Sequence, residues 1–205
     1  SWIVNGTVQE NITLFRGGPE NIDQAFYDRV IDACCLAPDL LLLPGGDLTE
    51  IGDRGVNLSG GQKARLALAR AVYSDANVYL LDDPLSAVDA SVAKQLHERV
   101  LGPRGLLAAK ARVIVTHQLQ ILPTSDRVYM LSAGSIAECG AFSELVERGV
   151  DFSGIIEDNE DNTDGSVSMA PTGNDNNDKV LDMGDRENVT ITDEERVRGM
   201  EGSEN

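Results

Sequence analysis

The 205 residues carry 34 acids against 17 Lys and Arg, a formal net charge of −17, with 41% apolar and only 4% aromatic residues. That length fits one ordinary domain and an appendage, and an acidic chain without a basic face excludes a nucleic-acid partner. No run approaches the ~20 apolar residues of a bilayer-spanning helix; the leucines at 40–43 are cut off by Pro44.

The charge is unevenly shared. From Asp151 onward there are 16 acids and 4 basic residues, against 18 and 13 in residues 1–150, so the net charge belongs mainly to the tail. Cys34, Cys35 and Cys139 fit neither a zinc knuckle nor a disulfide framework and read as reduced core thiols in a cytosolic setting. Four Asn-x-Ser/Thr matches, at Asn5, Asn11, Asn57 and Asn188, are chance matches in that setting. Position 1 is serine with no processing signal, which reads as an edge cut from a longer polypeptide.

In chain order, residues 1–8 are β-prone with a turn-like Asn5-Gly6. Residues 20–36 place Ile22, Ala25, Phe26, Val30, Cys34 and Leu36 near helical spacing after a Gly17-Gly18-Pro19 break. Residues 44–57 form a Gly- and Asp-rich loop. Ser59 is a candidate N-cap for a helix reaching about residue 75, with Leu66, Leu68, Ala69 and Val72 on its buried side.

Residues 77–83 are an apolar strand ending in Asp82-Asp83, 91–101 a helix, and 111–117 a second apolar strand ending in Thr116-His117. Residues 126–140 read as a hairpin turning at Ala133-Gly134, and 141–149 as a short helix stopped by glycine. Two near-continuous apolar strands separated by a helix predict a parallel sheet covered on both faces. Ligands of such sheets collect at the carboxyl ends of the strands, where both polar pairs fall. From Asp151 the composition cannot bury enough apolar surface to offset chain entropy, so a disordered acidic tail is expected.

The chemistry-bearing residues follow from these positions. Ser59, Gly60, Gly61 and Gln62 open a helix; two glycines let backbone N–H groups approach an anion, the helix dipole favours negative charge, and Ser59 adds a hydroxyl. An ordinary Ser-capped helix is the plain alternative. Asp82 suits Mg²⁺ coordination, or simply caps the next turn. Asp83 stands where a nucleoside triphosphatase keeps a general base or water-positioning residue. His117 could contact a terminal phosphate, although a histidine after an apolar strand is usually structural, as His97 is within its helix.

The run Leu58-Ser59-Gly60-Gly61-Gln62, then residues 78–83 "VYLLDD", then 86–90 "SAVDA", then a strand ending in Thr116-His117, resembles the ATP-binding-cassette family. Residues 2–12, 43–90 and 102–107 are similar to the first nucleotide-binding domain of the multidrug-resistance-associated, or C-type, exporters. The resemblance covers residues 1 to about 150. It implies an α/β fold, a partial P-loop NTPase-type nucleotide-binding domain with a mainly parallel sheet and a helical signature subdomain.

The implied division is a helical subdomain at about 9–75, a core at about 76–150, and a linker at 151–205. The implied roles are Ser59, Gly60, Gly61 and Gln62 as the signature, Asp82 as the Walker B magnesium residue, and Asp83 at the catalytic-base position. Ser86, Ala87, Val88 and Asp89 become the D-loop, with Asp89 near nucleotide, and His117 the switch histidine. ATP and Mg²⁺ are the implied cofactors. The implied partners are a second nucleotide-binding domain and, through the helical subdomain, transmembrane domains, at the cytoplasmic face of a membrane.

Two features depart from the family pattern. The chain contains no G-x-x-x-x-G-K-[ST] loop, and the adenine-stacking aromatic and Q-loop glutamine are expected upstream of Ser1. Asp83 replaces the family's glutamate with a side chain one methylene shorter, which predicts slow turnover at this domain's own nucleotide. In the family ATP lies between the P-loop of one domain and the signature of the other, so this signature would serve the partner's nucleotide. Other classes are a soluble cassette ATPase of the chromosome-maintenance or DNA-repair type, disfavoured by the lack of sustained heptads, and a catalytically inactive module that pairs with an intact cassette. In the tail, Thr172, Thr190 and Thr192 are acid-flanked candidates for an acid-directed kinase.

Overall fold

The computed structural model describes residues 2–52 and 55–152, all within the unit formed by residues 1–164. The acidic tail beyond 152, with its three threonines, lies outside the described residues.

Strand β1 (Gly6–Thr7) runs into helix α1 (Val8–Thr13). Thr7 ends the strand because it caps the helix: its hydroxyl accepts from Glu10 N at 3.0 Å while the Glu10 carboxylate accepts from Thr7 N at 2.7 Å. The β-prone reading of residues 1–8 therefore reduces to a two-residue strand. Helix α2 (Gln24–Ala33) is shorter than the 20–36 pattern suggests, since Asp23 caps Phe26 N and Cys35 leaves the helical region at φ 54. Helix α3 (Ala37–Leu42) follows with Pro38 in its first turn, and its Leu41 side is 86% exposed. The expected loop at 44–57 contains strand β2 (Glu50–Ile51), antiparallel to β1.

Helix α4 (Gly60–Tyr73) buries Leu66, Leu68, Ala69 and Val72, the four residues its spacing selects, together with Arg70 and Tyr73. The core forms around it. Tyr27 and Tyr73 meet edge-on, with ring centroids 5.8 Å apart, and Val8, Ile12, Val30 and Leu36 join them. Full burial of each such aliphatic side chain contributes on the order of 1.5–3 kcal/mol.

Strand β3 (Val78–Asp82) pairs in parallel with β4 (Ala111–Val115), register Val78 to Ala111 and Asp82 to Val115. Between them lies α5 (Ala90–Leu96), continued by a π-helical turn at His97–Leu101. The sheet corrects the expectation of cover on both faces. Tyr79, Leu81 and Ile114 face the core, but Leu80 is 78% exposed, with Val78, Val113 and Val115 beside it. Among the described residues only one face meets a packed layer, so the strands alternate between buried and exposed side chains.

Strands β5 (Val128–Ser132) and β6 (Ser135–Gly140) form the expected hairpin. Its turn has φ 48 at Ala133 and φ 76 at Gly134, the double positive φ that a tight hairpin turn demands. Helix α6 (Phe142–Glu147) ends before Gly149. The three cysteines are free; Cys34 is fully buried, and burial pushes its thiol pKa up. No described helix is long and apolar enough to cross a membrane.

Candidate functional site

Helix α4 starts with a reciprocal cap. Ser59 Oγ accepts from Gln62 N at 3.2 Å, and Gln62 Oε1 accepts from Ser59 N at 2.8 Å. Two of the amides at this helix end are thereby satisfied, while those of Gly60 and Gly61 donate to no described residue. Ser59 Oγ uses a lone pair in the cap, so its O–H remains available. A β-carbon on Gly60 would meet nothing within 4 Å. The donor set at the front of the helix is thus two amides and a hydroxyl, with open space at Gly60, chemistry that fits a phosphate.

Gly61 faces the other way. A β-carbon there would stand 2.9 Å from the Ala87 carbonyl oxygen, so the start of α4 packs directly on the loop after β3. Gln62 is not a free donor. Its Nε2 donates to Asp39 Oδ1 at 3.0 Å, and the same carboxylate is paired with Arg65. Arg65 also donates to the carbonyl of Gly61 at 3.3 Å and to that of Cys35. Asp39 and Arg65 carry no sequence signal as site residues, because their partners come from a separate helix.

The second group of residues sits at the carboxyl end of β3 and β4. The parallel register ends at Asp82 opposite Val115, and Asp83 N extends it by donating to Val115 O at 2.9 Å. The Asp82 side chain is exposed, and no described residue hydrogen-bonds or pairs with its carboxylate. Asp83 has φ 42, a left-handed backbone uncommon outside glycine. That geometry turns the chain sharply, and the Asp83 carbonyl accepts from the Ser86 hydroxyl at 3.0 Å. His117, two residues past β4, is exposed.

The loop 84–89 ends where Asp89 Oδ1 accepts from Val92 N at 3.0 Å and caps α5. Gln118 holds this loop from the segment that follows β4, its Nε2 donating to Leu85 O at 3.2 Å. Sequence reading overlooks Gln118, although its place after Thr116-His117 is a usable signal. The structure therefore brings Gly61 to Ala87, and Asp82 and Asp83 to the strand end that leads to His117. No hydrogen bond or ion pair among the described residues joins the Ser59–Gly60 group to Asp82, Asp83 or His117.

An exposed, unengaged carboxylate such as Asp82 fits Mg²⁺, which keeps waters and commonly takes one or two carboxylates together with substrate phosphates. No cluster of three metal-binding side chains occurs among the described residues.

A mixed α/β domain with a phosphate-type helix start and acids at the strand ends is the architecture of a P-loop NTPase-type nucleotide-binding domain. The profile of the ABC transporter family matches residues 8–86. ATP-binding cassette sub-family C member 2 of Mus musculus is 45% identical over 187 residues, 84% of this chain and 12% of the relative. Sub-family C member 3 of Rattus norvegicus is 52% identical over 156 residues, and member 2 of Homo sapiens 52% over 153. These cover 76% and 75% of this chain, and 10% of either relative. The chain belongs to the C-type branch of the ATP-binding-cassette transporter family. It spans about a tenth of the length of the curated relatives it matches.

Proposed function

We propose that this chain is part of the first nucleotide-binding domain of an ATP-driven membrane exporter. Residues 9–75 would act as its helical subdomain, 76–150 as part of its catalytic core, and 151–205 as the linker beyond. The open, unfilled donors at Ser59, Gly60 and Gly61 carry this reading, in a chain of a family that handles ATP.

In this reading the hydroxyl of Ser59 and the amides of Gly60 and Gly61 hold the terminal phosphate of a nucleotide bound mainly by a second, partner domain. They stabilise the charge of the transferring phosphoryl group, as fixed donors do in other active sites. Gln62 supports them from within the cap, its side chain being committed to Ser59 and Asp39. Asp82 would hold Mg²⁺, which neutralises phosphate charge when bound. Asp83 and His117 orient the attacking water and the terminal phosphate at this domain's own nucleotide. Asp89 rigidifies the D-loop by capping α5, and Ala87 passes its position to Gly61. Contacts from the helical subdomain to transmembrane domains would link hydrolysis to transport, at the cytoplasmic face of a membrane.

An antibody to the acidic tail tests this on native polypeptide in fractionated cells. The expected band lies in the membrane fraction at several times the 22.0 kDa of this chain, and the solubilised protein hydrolyses Mg-ATP. A soluble band near 22 kDa overturns the reading.

A further inference from the structure

We propose that Asp39 is a positioning residue for the phosphate-binding turn, an assignment that rests on the functional reading above and extends it beyond the signature itself. One carboxylate on α3 serves two donors from α4. Oδ1 accepts from Gln62 Nε2 at 3.0 Å and from Arg65 Nη2 at 3.3 Å, while Oδ2 pairs with Arg65 Nη1. The pair is largely removed from water, with side-chain exposures of 14% and 16%, so its geometry is weakly screened and hard to replace by solvent.

The consequence for Gln62 is directional. An amide has a donor end and an acceptor end, and the assignment of oxygen and nitrogen follows from the partners. Asp39 can only accept, so it takes the NH₂ end. The carbonyl end is thereby fixed toward the Ser59 amide, where it closes the cap. With that amide and the Gln62 amide both occupied, the amides left open are those of Gly60 and Gly61. Arg65, held by the same carboxylate, fixes the Gly61 carbonyl from behind at 3.3 Å. Asp39 touches no nucleotide; it acts through Gln62 and Arg65 on the plane of the peptide units that do.

The test has two readouts. Hydrogen exchange on the 205-residue chain should show faster exchange at residues 59–62 in Asp39→Leu than in the unmutated chain. Unchanged exchange there overturns the proposal whether or not the exporter reading holds. In the full-length protein in membrane vesicles, D39L should lower kcat for Mg-ATP by about tenfold or more with little change in KM, the response to a misplaced contact in the transition state. A residue needed only for folding would lower the amount of protein and leave kcat per molecule intact, and that result overturns the proposal.

Should D39L fail to accumulate, a charge-relay pair gives the answer. Gln62→Glu sets two carboxylates against each other and should lower kcat. Adding Asp39→Asn supplies an NH₂ donor to the new carboxylate, which still caps Ser59, and should restore most of kcat. A double variant no better than Q62E overturns the proposal. Absence of Mg-ATP hydrolysis by the unmutated protein, with the exchange effect present, overturns the exporter reading and leaves the role of Asp39 in the turn standing.

Discussion

A β-carbon on Gly61 would lie 2.9 Å from the carbonyl oxygen of Ala87, whereas one on Gly60 would meet nothing. Adjacent glycines thus answer to different demands. Gly61→Ala should destabilise the chain by about 1–3 kcal/mol, because the backbone at Ala87 must yield. Gly60→Ala should be neutral or stabilising by up to about 1 kcal/mol, from helix propensity. Urea melts of the two variants check this, and equal midpoints would refute the distinction.

Arg70 is a buried cation with no carboxylate partner among the described residues. It is 3% exposed, donates to Asn11 O at 2.7 Å, Asn11 Oδ1 at 2.8 Å and Trp2 O at 3.0 Å, and stacks 4.0 Å from the centre of the Trp2 ring. Burial lowers its pKa, the expected direction for a cation desolvated without a counter-charge. Lysine keeps the charge but lacks the planar fork that reaches three acceptors. Arg70→Lys should cost about 1–3 kcal/mol through carbonyls left unsatisfied. The chain has one tryptophan, so its fluorescence should report release of Trp2 in this variant; an unshifted spectrum and melt would contradict the role.

His97 predicts a pH dependence of stability. Thr124 Oγ1 gives its proton to Ile121 O at 2.9 Å, so it accepts from His97 Nε2 at 3.0 Å, and Nδ1 is left bare and buried without a partner among the described residues. Desolvation lowers the ring's pKa below its usual 6.5, outweighing the opposing effect of Glu98. The unfolded chain therefore binds more protons between the folded and unfolded pKa values. The contribution of His97 is complete above 6.5 and is lost as pH falls through the lower folded value. Denaturant midpoints should drop on acidification from about pH 7.5 to about 5, and His97→Asn should flatten that part of the profile. An unchanged profile in the variant would show that another group titrates.

At the proposed catalytic position, Asp83→Glu restores the missing methylene. In the full-length protein it should raise hydrolysis at this domain's own nucleotide by up to about 10²-fold, the scale of a 1 Å correction in reach. Single-turnover assays with the other nucleotide site inactivated read this directly; no gain would mean that reach is not what limits Asp83. The 205-residue chain alone, lacking the phosphate loop, should show no ATPase activity and weak or no Mg-ATP binding by calorimetry.

Several elements are legible in the sequence because their causes are local. Ser59 and Gln62, three residues apart, set the start of α4 through a mutual cap. Ala133-Gly134 sets the hairpin turn by its positive φ values, and the apolar runs at 78–82 and 111–115 place Asp82 at the end of one paired strand and His117 two residues past the other. Thr7 and Glu10 form a second cap of the same kind that the β-prone composition around them conceals.

What remained for the tertiary structure involves residues far apart along the chain. Asp39 meets Gln62 and Arg65 across 23 and 26 positions, and Arg70 meets Asn11 across 59. Gly61 meets Ala87 only because α4 lies against the loop after β3. The exposed face of β3 and β4 is of the same kind. An apolar side chain records a preference for burial, but burial is granted by a neighbouring layer, and Leu80 and Val113 find none among the described residues. Local sequence fixes dihedral angles and caps. Which carboxylate orients Gln62, and which glycine must stay bare, is settled by how the helices pack.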